Sequence, residues 1–182
     1  FPDITYSFYD VWADLYKIPY RMLELNDEFR INIEDYLVPN GGIVIPNPNA
    51  PTGVEKDVKE LEKIVAKNPD SVVIIDEAYV DFGATSMLPL INKYDNLLIV
   101  QTYSKSRSMA GARIGMAFGN EKLIKYMNDV KFSINSYTMN RLTVAAGTAA
   151  LEDEEYFKET CDKVIATRER TKVRLRELGF DM

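Results

Sequence analysis

The chain has 182 residues, 46% of them apolar and 27% charged, enough for one ordinary domain with a real core and the composition of a globular protein. A net charge of −6, with no basic stripe interleaved with aromatics, argues against a nucleic-acid partner, and no apolar run is long enough to span a membrane. The lack of any histidine removes Ser-His and Cys-His nucleophile pairs and imidazole metal sites. The single cysteine, Cys161, excludes an internal disulfide and suits a reducing, cytoplasmic setting.

In chain order, Phe8, Val11, Trp12, Leu15 and Tyr16 recur at helical spacing and predict an amphipathic helix over 6–17, ended by Pro19. Residues 20–25 alternate like a strand, and 33–37 read as one short helical segment. After the Asn40-Gly41-Gly42 turn, 43–45 form a short apolar strand that enters a proline-rich loop. A helix over 54–67 carries Val58, Leu61, Ile64 and Val65 on one face. Residues 72–75 are apolar on both faces, the mark of a strand inside a parallel sheet.

A helix over 88–94 leads to a strand at 97–100, and 114–118 form a further strand, antiparallel to a neighbour because its link is short. Helices follow over 121–130, 138–151 (rich in alanine and glycine) and 153–178, the last charged nearly all round and closed by Gly179. Strands alternating with helices specify an α/β fold, a three-layer arrangement with a mainly parallel sheet flanked by helices.

Three stretches place polar groups at the ends of apolar runs, where open α/β sheets gather their ligands. They are Asn47 to Gly53 (NPNAPTG), Ile74 to Phe82 (IIDEAYVDF) and Thr102 to Gly119 (TYSKSRSMAGARIGMAFG). Asp76 follows four apolar residues, so its carboxylate stays ionised only beside a cation or strong donors. The plain alternative is a turn cap. A P-loop acidic box is a further rival, but it needs an upstream G-x-x-x-x-G-K-[ST], which the sequence lacks. A pyridoxal-phosphate site needs a carboxylate on the ring nitrogen, a lysine amine for the Schiff base, and serine or arginine donors for the phosphate. Asp76, Lys105, Ser104 and Arg113 supply those parts, and Tyr79, three residues past Asp76, is within reach of the ring oxygen.

In these motifs, and in ITYSFYDVWAD (4–14) and KFSINSYTMNRL (131–142), the chain resembles the fold-type I pyridoxal-phosphate aminotransferases, within them the subgroup acting on histidinol phosphate. The resemblance implies Lys105 as the Schiff-base and proton-shuttling lysine, Asp76 on the pyridinium, and Tyr79 on the phenolic oxygen. It also implies Ser104 and Arg113 on the phosphate with Thr102 nearby, and Tyr6 stacked on the ring.

Family members commonly carry asparagine directly before Pro-Thr-Gly; here that position is Ala50, with Asn49 one residue away as the substitute. The reaction implied is transamination of histidinol phosphate with 2-oxoglutarate, on small amino and oxo acids, in a homodimer. Another aminotransferase or a phosphothreonine-decarboxylase-like enzyme is the runner-up. The resemblance further implies a piece of a longer protein: residues 1–152 as part of a large coenzyme-binding domain and 153–182 as a connector helix toward a small domain. Taken alone, such a piece is expected to be inactive, and a non-catalytic fragment or binding module is the competing reading.

Overall fold

In the computed structural model, which describes residues 1–181, four strands make one sheet in the order β1 (Gly42–Pro46), β2 (Val72–Asp76), β3 (Leu97–Thr102), β4 (Gly115–Gly119). The first three run parallel, in a register that sets Pro46 beside Asp76 and Asp76 beside Val100. Strand β4 returns antiparallel, with Thr102 opposite Gly115. The runs of valine and isoleucine suit a pleated, buried surface. Their alternate members, Ile43, Ile45, Val73, Ile75, Leu97 and Ile99, form one contiguous core with Leu61, Ile64 and Val65 of α2 (Val58–Lys67). Each such side chain contributes about 1.5–3 kcal/mol on burial. The fold is therefore the mainly parallel, helix-flanked sheet that the alternating pattern predicts.

The remaining helices are α1 (Tyr9–Leu15), α3 (Glu121–Ile134), α4 (Arg141–Glu152) and α5 (Glu154–Glu177). Helix α5 closes on Gly179 at φ +89°, with the Gly179 and Phe180 amides donating to Arg176 and Leu175 carbonyls, a Schellman ending. It lies along the body: Arg168 donates to the Phe82 carbonyl at 2.9 Å.

Several sequence expectations need correction. Residues 20–25 form no strand; only Leu23 makes a bridge, to Pro2. Pro2 has no N–H to give a ladder, and the Asp3 side chain takes the Leu25 amide at 3.0 Å in place of a backbone partner. Helix α2 starts at Val58, not residue 54. Before it, the Lys56 amide is spent on Asn47 Oδ1 (2.8 Å) and the Val54 carbonyl on the Asn49 amide (2.9 Å), and Asp57 caps the helix through the Lys59 amide. The 88–94 helix is a 3-10 turn over Leu88–Asn92. Helix α1 is shorter than expected and turned: Tyr9 and Ala13 are buried, while Phe8, Val11, Trp12, Leu15 and Tyr16 are exposed.

Candidate active site

The polar groups singled out in the sequence collect at the C-terminal ends of β2 and β3. Strand alternation sends the neighbouring carboxylates Asp76 and Glu77 in opposite directions. Glu77 is buried at 2% exposure and serves the scaffold: it accepts from Ser86 Oγ (2.7 Å), the Met87 amide (2.6 Å) and Gln101 Nε2 (2.9 Å). Asp76 is half-buried at the strand end. Its Oδ1 accepts the Ala78 amide at 3.0 Å and its Oδ2 accepts the hydroxyl of Tyr9 at 2.7 Å. No ion pair within 4.0 Å engages Asp76 among the described residues.

Tyr9 was not singled out by its sequence pattern, which assigned the inner face of the first helix to Phe8 and Trp12. Its spacing of three from Tyr6 is the trace it leaves there. It is 6% exposed, wedged among the rings of Phe1 (5.7 Å), Tyr6 (5.6 Å) and Trp12 (6.0 Å). Burial first, then the charge of Asp76, pushes its hydroxyl well above the ordinary phenol range, so the hydroxyl stays protonated and donates.

Tyr6 is 46% exposed, its ring stacked on Phe8 at 5.8 Å and set edge-on to Tyr9. The loop after β1 anchors the segment that carries it. Asn49, buried, accepts the Thr5 hydroxyl at 3.0 Å and sends its two amide hydrogens to the Ile4 carbonyl (2.9 Å) and Thr52 Oγ1 (3.0 Å). Both donors of that amide are thus in use, one within the loop and one on the N-terminal segment.

Across the sheet end, Thr102 finishes β3 and its hydroxyl donates to Ser104 Oγ at 2.9 Å while accepting the Ser104 amide at 3.0 Å. Lys105 follows, solvent-exposed, with Nζ 5.1 Å from the centre of the Tyr79 ring. Ser106, buried, donates to Asp81 Oδ2 at 2.5 Å and ties the lysine loop to the turn that follows Asp76. Arg113 sits at φ +56°, exposed, past the Ala110–Ala112 turn, and donates to the Ala110 carbonyl at 2.9 Å.

Asp76 and Tyr9 are joined by a hydrogen bond, Tyr79 and Lys105 by a ring contact, and Thr102 and Ser104 by their hydroxyls. Tyr6 joins the group through Tyr9, and Asn49 through Thr5.

The donor set has one chemical sense. It offers a carboxylate without a cation, an amine above an aromatic ring, a pair of linked hydroxyls and an arginine: the complement of a cationic ring that bears an aldehyde and a phosphate. The residues present fit pyridoxal phosphate.

The family model described as aminotransferase class I and II matches residues 1–182. A histidinol-phosphate aminotransferase of Brachyspira hyodysenteriae is 53% identical over the whole chain, which covers 52% of that protein. Among solved structures, the histidinol-phosphate aminotransferase of Clostridium acetobutylicum is 25% identical with a TM-score of 0.88, covering 97% of this chain and 55% of that one. That of Sinorhizobium meliloti, solved in complex with pyridoxal-5'-phosphate, superposes with a TM-score of 0.83 at 23% identity, over 92% of this chain and 47% of that one. The chain spans about half the length of the curated relatives it matches.

Proposed function

The chain belongs to the class I and II aminotransferases, and from that premise we propose that the complete protein is a pyridoxal-phosphate-dependent histidinol-phosphate aminotransferase with 2-oxoglutarate as acceptor. The observation that carries this reading is the meeting of Asp76 and the Lys105 loop at the ends of two adjacent parallel strands, Asp76 being paired in register with Val100. The coenzyme, when bound, supplies an electron-withdrawing ring that stabilises negative charge on the substrate carbon.

The chain's own residues hold and serve it. Asp76 would meet the ring nitrogen, and the Tyr79 hydroxyl would donate to the ring oxygen. Ser104, Thr102 and Arg113 bind the phosphate, for which the Arg113 guanidinium offers two parallel donors once it leaves the Ala110 carbonyl. Lys105 would hold the coenzyme through its amine and would serve as the group that takes and returns the proton at the substrate carbon. Tyr6 covers the ring face. Asn49 acts through the Ile4–Tyr6 segment that it anchors.

The same reading includes a homodimer in the cytoplasm, residues 1–152 as part of the large domain and 153–182 as its connector helix. Among the described residues no helix is long and apolar enough to cross a membrane. Titrating the complete protein with pyridoxal phosphate tests the coenzyme assignment. A visible band should grow, borohydride should fix the coenzyme to the wild type, and Lys105→Ala should abolish that fixation. Equal fixation in the variant sinks the lysine assignment. Turnover of histidinol phosphate, with phosphothreonine left unchanged, decides the substrate class.

A further inference from the structure

The structure gives Asp76 a partner that neither motif nor helical periodicity reveals. We propose that Tyr9 is a positioning residue of the coenzyme site: its hydroxyl, donated to Asp76 Oδ2, fixes the orientation in which that carboxylate meets the ring nitrogen. The inference rests on the pyridoxal-phosphate reading and deepens it.

Four observations carry it. The bond is short, 2.7 Å, and bridges 67 residues of sequence, so it exists only because the fold brings α1 onto the end of β2. The donor cannot swing away, since its ring is held among Phe1, Tyr6 and Trp12 and is 6% exposed. The two Asp76 oxygens take one donor each, Tyr9 on Oδ2 and the Ala78 amide on Oδ1, so each keeps lone-pair capacity for a ligand. Finally, no cation pairs with Asp76 among the described residues, so the donors that orient it are Tyr9 and the Ala78 amide.

A buried tyrosine commonly satisfies its hydroxyl on the nearest acceptor, with no further consequence. Here that acceptor faces the ligand end of the sheet, and the ring that packs against Tyr9 belongs to Tyr6.

The test uses the complete protein, the variant Tyr9→Phe, and two probes: pyridoxal phosphate and its 1-deaza analogue, in which carbon replaces the ring nitrogen. Tyr9→Phe keeps the aromatic packing and removes only the donor. It should weaken pyridoxal phosphate binding about tenfold, the size of a lost bond to a charged group, and leave the deaza analogue within about twofold. In an Asp76→Asn background the tyrosine substitution should have no further effect on either probe. An equal loss for both probes overturns the inference and leaves Tyr9 a packing residue.

A wild-type protein that binds the two probes equally removes the Asp76–ring contact itself, a failure of the underlying reading rather than of the tyrosine's part in it. Should Tyr9→Phe fold poorly, replacing Tyr9 with 3-fluorotyrosine, which keeps ring and hydroxyl and sharpens the donor, should shift the coenzyme's visible band. An unchanged band with unchanged affinity overturns the proposal as well.

Discussion

Arg107 lays its guanidinium 4.0 Å from the centre of the Phe157 ring and donates to the carbonyl of Ala150, so the loop bearing Lys105 is fastened to the junction of α4 and α5. It also lies 5.3 Å from the centre of the Tyr103 ring. Two rings and a carbonyl thus hold a residue two positions from the amine that the site turns on.

Arg107→Ala removes both ring contacts and the bond to Ala150. A partly desolvated cation–π pair and one hydrogen bond to a charged donor together predict a loss of about 2 kcal/mol. Urea unfolding of the complete protein measures it. Hydrogen exchange in the segment around Lys105 should rise more than at the strand centres, because the loop loses its anchor while the sheet does not.

Glu77→Ala strips the acceptor from three donors at once: Ser86 Oγ, the Met87 amide and Gln101 Nε2. Each buried donor left without a partner costs about 1–3 kcal/mol, though Ser86 can turn toward water. The expected loss is about 3 kcal/mol in chemical denaturation, and coenzyme affinity should fall with it because Glu77 adjoins Asp76.

Gly119 and Gly147 separate rigid from yielding neighbours. A Cβ at Gly119 would lie 2.9 Å from the Leu97 carbonyl oxygen, a backbone atom within the sheet; one at Gly147 would lie 2.7 Å from the Ile114 Cδ1, the tip of a flexible side chain. Gly119→Ala should therefore cost about 1–3 kcal/mol, an overpacking penalty. Gly147→Ala should cost less, despite its shorter contact. Paired melting curves decide the order.

The Cys161 thiol is pushed above its ordinary range, by burial first and then by the charge of Asp81. A raised folded value means that the group's contribution to stability is fully present below the unfolded thiol range, about 8.5, and is lost as pH climbs through the folded value. Alkylation of Cys161 at neutral pH should accordingly be slow in the native protein and speed up on unfolding. Labelling at an equal rate in both states would contradict the burial.

The strands were legible because Ile43 to Ile45, Val72 to Ile75 and Leu97 to Val100 are short apolar runs flanked by turn residues, and a mainly parallel sheet follows from their alternation with helical segments. The acidic, lysine and arginine positions were legible from their places at the ends of those runs. What was hidden depends on distant contacts. Helix α1 carries more apolar residues than one face can bury, so periodicity chose Phe8 and Trp12 while the fold buried Tyr9 and Ala13. The Ser106–Asp81 bond and the Asn49 anchor join segments 25 and 44 residues apart, which no local pattern encodes. Residues 20–25 had strand alternation but no neighbour able to continue the ladder.

Trp12 is the chain's one tryptophan, and its ring stands 6.0 Å from those of Tyr6 and Tyr9. Its emission therefore originates beside the ring that faces the ligand end of the sheet. Any chromophore that absorbs in the near ultraviolet or visible and settles there will dim that emission in proportion to occupancy. The protein thus carries its own unlabelled optical gauge of loading, readable in the same cuvette as the unfolding curves.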